Sequence, residues 1–261
     1  MTRLQEEWDA RAGLWDRQAD DPRSFFTTRA AAVEAFVGTH VPAGAALDVG
    51  CGAGNLSAGL ARRGFEVYGC DISAPMIARA ITRVSRVDPA AADRFRVSGG
   101  VALPFDRPFD VITAIDVLIY VPDYAAFVRV LDRALAPGGT LVLSCTNAVS
   151  LYTAWTIGGL LRRPRLSRRW AATLRNLVRT GLWSGGWLDD TSGQRHSAAS
   201  FDRLLRDCGF ETVAAFDLFH HPRWDRHALD RGRITARLAR GLGWNHIGLY
   251  RRRSPSPGTR R

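Results

Sequence analysis

Lysine is absent from this chain of 261 residues, although its formal net charge is +11, so every one of the 36 Lys/Arg positions is arginine. A GC-rich codon bias accounts for arginine in place of lysine but not for the excess of base over acid, which leaves room for an anionic partner. Long apolar runs are missing as well. No stretch approaches the roughly 18 uncharged apolar residues that a membrane span needs, and Met1–Trp8 lacks the apolar core of a signal peptide. From both absences a cytoplasmic location is expected. Cysteine is scarce: Cys51, Cys70, Cys145 and Cys208 show neither Cys-x-x-Cys spacing nor a dense pattern, which argues against a disulfide framework or a structural metal. Three of the four fall in segments that read as buried strands or strand ends. No internal repeat is present.

What remains is 46% apolar, enough for one substantial core, and residues 1–253 read as a single domain with a disordered tail at Ser254–Arg261. A helical lead-in (Gln5–Arg17, then Thr27–Gly38) is followed by apolar runs of strand length at Ala45–Val49, Glu66–Cys70, Arg94–Val97, Phe109–Ile115 and Thr140–Thr146. Helical patterns fill Asn55–Arg63, Ala74–Val87 and Asp123–Leu135, the last stopped by Pro137-Gly138-Gly139. This alternation predicts an α/β fold, a Rossmann-like doubly wound and mostly parallel sheet. Phe210–Phe219 and Trp244–Arg251, preceded by a helix over Ala198–Cys208 with Gly209 as its C-cap, predict an antiparallel hairpin at one sheet edge. Residues 148–195 break the rhythm with a Trp- and Arg-rich helical insertion, the natural candidate for a substrate lid.

Leu47-Asp48-Val49-Gly50-Cys51-Gly52-Ala53-Gly54-Asn55 places a Gly-x-Gly-x-Gly turn where a buried strand gives way to a helix, so that backbone can pass close beneath a ligand. Asp71 lies 23 residues beyond Asp48, at the end of the next strand, the spacing at which a carboxylate accepts both hydroxyls of a ribose. A dinucleotide turn reads Gly-x-Gly-x-x-Gly and sets pyrophosphate on the helix N-terminus. Here the third glycine comes one residue early, and Asp48 would repel phosphate while suiting a ligand that carries a sulfonium and an ammonium.

These residues resemble motif I and the acidic second-strand end of class I S-adenosylmethionine-dependent methyltransferases. Leu103-Pro104-Phe105, Phe109-Asp110-Val111-Ile112 and Leu135-Ala136-Pro137-Gly138-Gly139 are similar to that family's later landmarks. The layout of Thr146-Asn147, an insertion, and a helix ending in Gly209-Phe210 resembles quinone-pathway O-methyltransferases of the UbiG type. The resemblance implies S-adenosylmethionine as cofactor, held by Asp48, Gly50, Cys51, Gly52, Asn55, Asp71 and Ile72. It further implies that Arg29 meets the methionyl carboxylate and that Met76 flanks the adenine. A solvated surface arginine and a plain core methionine are the bland alternatives.

Two departures stand out. Many relatives carry Gly-Asp before Leu-Pro-Phe, whereas this chain reads Ser98-Gly99-Gly100-Val101-Ala102, which leaves adenine to backbone and apolar contacts at Gly100 and Val101. The Glu-Val-Leu-Glu-His pattern after the fourth strand appears as Asp116-Val117-Leu118-Ile119-Tyr120, which loses a carboxylate and the imidazole together and argues against a metal or histidine-base role at that place. Asp116 is expected at the cofactor and Tyr120 at the acceptor, both facing the crevice of the sheet. If the acceptor is a hydroxyl, His196, His220 and His221 are the candidate bases, with His196 nearest the cleft; a surface or capping histidine is the alternative for each.

Asp116-Val117-Leu118-Ile119 does not match the Asn/Asp-Pro-Pro-Tyr turn of nucleobase amino-methyltransferases, which argues against nucleic acid as acceptor. Leu151, Tyr152, Trp155, Ile157, Trp170, Trp183 and Trp187 suit a bulky, partly hydrophobic small molecule, with O-methylation of a phenol or sugar-lipid intermediate as the leading reading. Arg162, Arg163, Arg165, Arg168 and Arg169 between them suit peripheral contact with an anionic membrane, or equally a solvated helix face. The rivals are a nucleic-acid methyltransferase, favoured by charge, and a noncatalytic cofactor-binding partner subunit. Oligomeric state is not legible.

Overall fold

A computed structural model describes residues 2–22, 24–99, 102–150, 182–183, 195–218 and 243–253. The chain begins with helices α1 (Arg3–Asp20) and α2 (Phe25–His40). It continues through β1 (Ala45–Val49), α3 (Asn55–Arg62), β2 (Glu66–Asp71), α4 (Ala74–Val84), β3 (Phe95–Val97) and β4 (Phe109–Ala114). Then come α5 (Tyr124–Ala134), β5 (Leu135–Thr146), the short β6 (Leu182–Trp183) and β7 (Arg195–His196), α6 (Ala198–Asp207), β8 (Phe210–Leu218) and β9 (Asn245–Arg252). Helix starts are written locally. Ser24, Ser73, Asp123 and Ser197 accept the N–H groups of Thr27, Met76, Ala126 and Ser200 at 3.1, 3.3, 2.8 and 3.2 Å, supplying acceptors the first turns lack.

Seven strands form one sheet in the order β3-β2-β1-β4-β5-β9-β8. The first five are parallel, and β9 runs antiparallel to both β5 and β8. The expected edge hairpin is therefore present, with β9 inserted inside β8. All five residues of β1 are buried, because both sheet faces are covered, so the strand is apolar at every position but Asp48 rather than alternating. One face packs Leu47, Ile112 and Leu141 under Phe127, Leu131, Phe201 and Leu205 of α5 and α6. The other packs Val67, Val111 and Val142 under Val33, Val37, Leu60 and Ala80 of α2, α3 and α4.

Two boundaries differ by several residues from the sequence expectation. Helix α4 stops at Val84, and a 3-10 turn over Pro89–Arg94 follows, opened by Asp88, whose carboxylate accepts the Ala90 N–H at 3.1 Å. Strand β5 begins at Leu135, not Thr140: Phe109 pairs with Leu135 before the register shifts to Val111 with Thr140. Ala136–Gly139 thus form an irregularity inside the strand, with Gly138 at φ 75°. Of the 148–195 insertion, the β6–β7 pair (Leu182 with His196, Trp183 with Arg195) is described, while its expected helices, like the 254–261 tail, lie outside the described residues. Among the described residues no helix is long and apolar enough to cross a membrane. Strand order reverses between β1 and β4, and at such a switch point a crevice opens at the carboxyl ends of the strands.

Candidate functional site

A cavity of about 340 Å³ occupies that crevice, inside the roughly 300–1,000 Å³ range of small-molecule sites. Its floor is the glycine turn after β1. The N–H groups of Gly50 and Cys51 both donate to the Cys70 carbonyl, at 2.7 and 3.1 Å, which fastens the turn to β2. Gly52 sits at φ 52°, and a Cβ built there would meet nothing within 4 Å, so its bare face is open to the cavity. Gly54, at φ 81°, serves packing instead, since a Cβ there would come within 2.8 Å of the Ala80 Cα. The third glycine, one residue early for a dinucleotide turn, is what lets the start of α3 pack on α4.

Two carboxylates flank the turn. Asp48 is buried, and its oxygens accept hydrogen bonds from Ser57 Oγ at 2.7 Å and Thr113 Oγ1 at 2.8 Å. Burial pushes its pKa up to about 6, against the pull of those two hydroxyls and with a small further push from the charge of Asp71. Asp71 accepts the Gly52 N–H on Oδ2 and the Ser73 N–H on Oδ1, each at 2.9 Å. Burial raises its pKa too, opposed by those backbone donors. Each Asp71 oxygen keeps capacity for a second donor.

Across the cavity, Arg29 of α2 forms an ion pair with Asp116, just beyond β4. The guanidinium is nearly buried and lies over the rings of Phe25 and Phe26, 4.8 and 5.6 Å from their centroids. Asp116 Oδ1 also accepts Asn245 Nδ2 at 2.7 Å and Ser144 Oγ at 3.1 Å. The expected surface alternative for Arg29 is thereby set aside.

Arg29, Asp48, Gly50, Cys51, Gly52, Asn55, Asp71, Ile72, Met76, Asp116 and Tyr120 all line the cavity. Gly100 and Val101 lie outside the described residues, although the neighbouring Ser98 and Gly99 belong to the lining. His196 is placed elsewhere than expected. It is not in the lining; Nδ1 lies 3.2 Å from Ser200 Oγ, and the ring packs against Tyr124 and Phe201. Burial draws its pKa down to about 4, because the charged imidazolium would lose water there. His220 and His221 lie outside the described residues.

The sequence reading misses a roof. Leu4, Trp8 and Trp15 of α1 line the cavity with Phe26 and Trp244. Trp8 meets Tyr120 edge-on at 5.4 Å and Trp15 at 5.1 Å, and both tryptophans pack on Met76 and Ala53. The signal is there: Leu4, Trp8, Ala12 and Trp15 share one helix face.

A family model described as a methyltransferase domain matches residues 23–215. The ubiquinone biosynthesis O-methyltransferase of Pseudomonas paraeruginosa (strain DSM 24068 / PA7) is 33% identical over 144 residues, which cover 53% of this chain and 61% of that protein. Its namesake in Xanthomonas campestris pv. campestris (strain B100) is 33% identical over 121 residues, 46% of this chain and 50% of that protein. The chain thus spans about half to three-fifths of the length of these curated relatives. Among solved structures, magnesium protoporphyrin IX methyltransferase from Synechocystis PCC 6803, with bound SAH, superposes with a TM-score of 0.63 at 19% identity, covering 96% of this chain and 98% of that one. Mitomycin 7-O-methyltransferase gives 0.55 at 19% identity, covering 92% and 60%. At such identities the likeness is one of fold.

Proposed function

Because this chain belongs to the methyltransferase domain family, we propose that its cavity binds S-adenosylmethionine and that it methylates a hydroxyl of a bulky, partly hydrophobic small molecule. The observation that carries this reading is the bare face of Gly52, open to the cavity that the Asp71 carboxylate and the Arg29–Asp116 pair also line. The residues present fit the cofactor. Asp71 retains acceptor capacity for two ribose hydroxyls, and Ile72 and Met76 offer apolar walls to an adenine, with Gly100 and Val101 following in the chain. Three carboxylates, Asp48, Asp71 and Asp116, against one guanidinium suit a ligand bearing positive charge and disfavour a pyrophosphate.

The cofactor, when bound, supplies an electrophilic methyl group on a sulfonium. The chain's own residues bind and orient. In-line displacement that consumes positive charge gains most from alignment, on the order of 7–11 kcal/mol. Tyr120, Ile119, Val121 and Trp244 border the acceptor end in this reading, under the α1 roof that excludes water. His196, outside the lining and with a pKa near 4, is a weak base and is assigned no proton. A hydroxyl acceptor is supported by the relatives named as O-methyltransferases, and a small molecule by the apolar character of the lining. Arg162, Arg163, Arg165, Arg168 and Arg169 support contact with an anionic membrane surface as a further part of the proposal.

The test is release of S-adenosylhomocysteine from S-adenosylmethionine and a panel of phenols, catechols, amines and RNA. Turnover confined to phenolic acceptors is expected. Transfer to amines or RNA alone would contradict the hydroxyl reading, and cofactor binding without turnover on any class would favour a noncatalytic partner subunit.

A further inference from the structure

Asp116 is the one non-glycine residue with positive φ, 57°, among the described residues. An aspartate in this left-handed region is uncommon and strained, so the surroundings must hold it there. Two side chains do so. Ser144 Oγ on β5 accepts the Asp116 N–H at 2.7 Å and donates to its Oδ1 at 3.1 Å, bracketing the residue from backbone and side chain at once. Asn245, the first residue of β9, donates Nδ2 to the same oxygen at 2.7 Å. Asn245 is 1% exposed, and its Oδ1 has no hydrogen-bond partner among the described residues. A buried acceptor left without a donor is costly, a cost set against the bond that the amide makes to Asp116. The Asp116 side chain is still 28% exposed and lines the cavity.

We propose that Ser144 and Asn245 are positioning residues that fix the Asp116 carboxylate toward the amino-acid end of the cofactor, where it receives the α-ammonium while Arg29 receives the α-carboxylate. The inference rests on the cofactor reading above. Asp71 ends β2 and Asp116 follows β4, with β1 between them. Two strand spacings, about 10 Å, separate them, which suits a ribose at one and the far end of a methionyl chain at the other. Arg29 and Asp116 already neutralise each other. An α-amino-acid group carries both charges, so it pairs with each residue in turn and leaves neither charge alone in a desolvated site. Asp116 needs a fixed direction for that exchange, and Ser144 and Asn245 provide it from β5 and β9 without lining the cavity themselves.

Calorimetric titration with two probes isolates the effect. S-adenosylhomocysteine has the amino-acid end, and 5′-methylthioadenosine lacks it while keeping ribose and adenine. In Ser144→Ala and, separately, Asn245→Ala, S-adenosylhomocysteine is expected to bind roughly tenfold more weakly, with methylthioadenosine affinity unchanged within about twofold. Equal weakening of both probes, or of neither, in the two variants would overturn the assignment, the former because it marks a general structural role. Asp116→Asn should reproduce the selective loss. If wild-type protein binds methylthioadenosine and S-adenosylhomocysteine equally well, the amino-acid end is not read here at all and the inference fails while the nucleoside site stands. If the wild type binds neither, the cofactor reading fails first.

Discussion

Asp48 shows how a single residue can hold a site at the expense of the fold. Its carboxyl titrates near pH 6 in the native protein, well above its ordinary 3.8, because burial outweighs the Ser57 and Thr113 hydrogen bonds. Between those two values the native state binds more protons than the unfolded chain, so the Asp48 contribution to stability grows as pH falls from 6 to 3.8 and is lost above 6. At roughly 1.4 kcal/mol per pH unit, the ionised group costs about 3 kcal/mol at neutral pH. Asp48→Asn is therefore expected to be more stable than wild type at pH 7.5, with the difference vanishing near pH 4, as measured by urea unfolding across that range. A constant difference at all pH values would contradict the titration. At this scale the sequence is informative where chemistry is local. Asp48, the glycines and Asp71 lie in one strand-turn-helix-strand run, and their spacing alone locates the floor of the cavity. Asn245 is not legible, because its partner Asp116 is 129 residues away and meets it through a strand insertion that no local pattern announces.

Among the elements, α1 departs furthest from its sequence reading, in which it is only a lead-in. Its apolar face closes the cavity, and its polar face is latched to α4: Arg83 pairs with Asp16 at 3.2 Å and Asp20 at 2.7 Å and also meets the Ala53 carbonyl, while Arg79 reaches Asp16 at 3.4 Å. Asp20 is exposed and Asp16 partly so, so each pair is worth roughly 0.2–1 kcal/mol and is screened by salt. The aromatic contacts carry more. Trp8→Ala is expected to raise the dissociation constant of S-adenosylhomocysteine about tenfold, by opening the roof over Met76 and Tyr120, and Arg83→Ala to raise it less and with a dependence on ionic strength. Titration calorimetry at low and high salt measures both; unchanged affinity in Trp8→Ala would remove α1 from the site. The parallel strands are legible because two-sided burial gives continuous apolar runs. The irregular start of β5 is not, since Pro137-Gly138-Gly139 carries the same residues that a plain turn would.

The whole molecule carries a second pH signature, far from the cavity floor, in the β8–β9 pair. Burial pulls the His246 imidazole down, but Asp202 at 3.6 Å and Asp217 at 2.7 Å outweigh it and bring its pKa up to about 9. The native state then holds a proton that the unfolded chain releases near 6.5, so this stabilisation is complete below about 6.5 and is lost as pH rises through 9. It amounts to about 3 kcal/mol at the same conversion. The stability gap between wild type and His246→Gln is expected to narrow over that window in pH-dependent unfolding; a gap that stays flat would show the imidazole to be neutral. The parallel half of the molecule, which bears the family's motifs, and the antiparallel edge, which supplies Asn245 and Trp244, meet at β5, and the site needs both.

The central claim is that the crevice over β1, β2 and β4 is a site for S-adenosylmethionine. Titration of S-adenosylhomocysteine into wild type and Asp71→Ala tests it most directly. Binding to the wild type that weakens roughly a hundredfold in the variant, as the loss of two hydrogen bonds to a charged acceptor requires, is the expected result. No binding to folded wild-type protein, or equal binding to both, would contradict it.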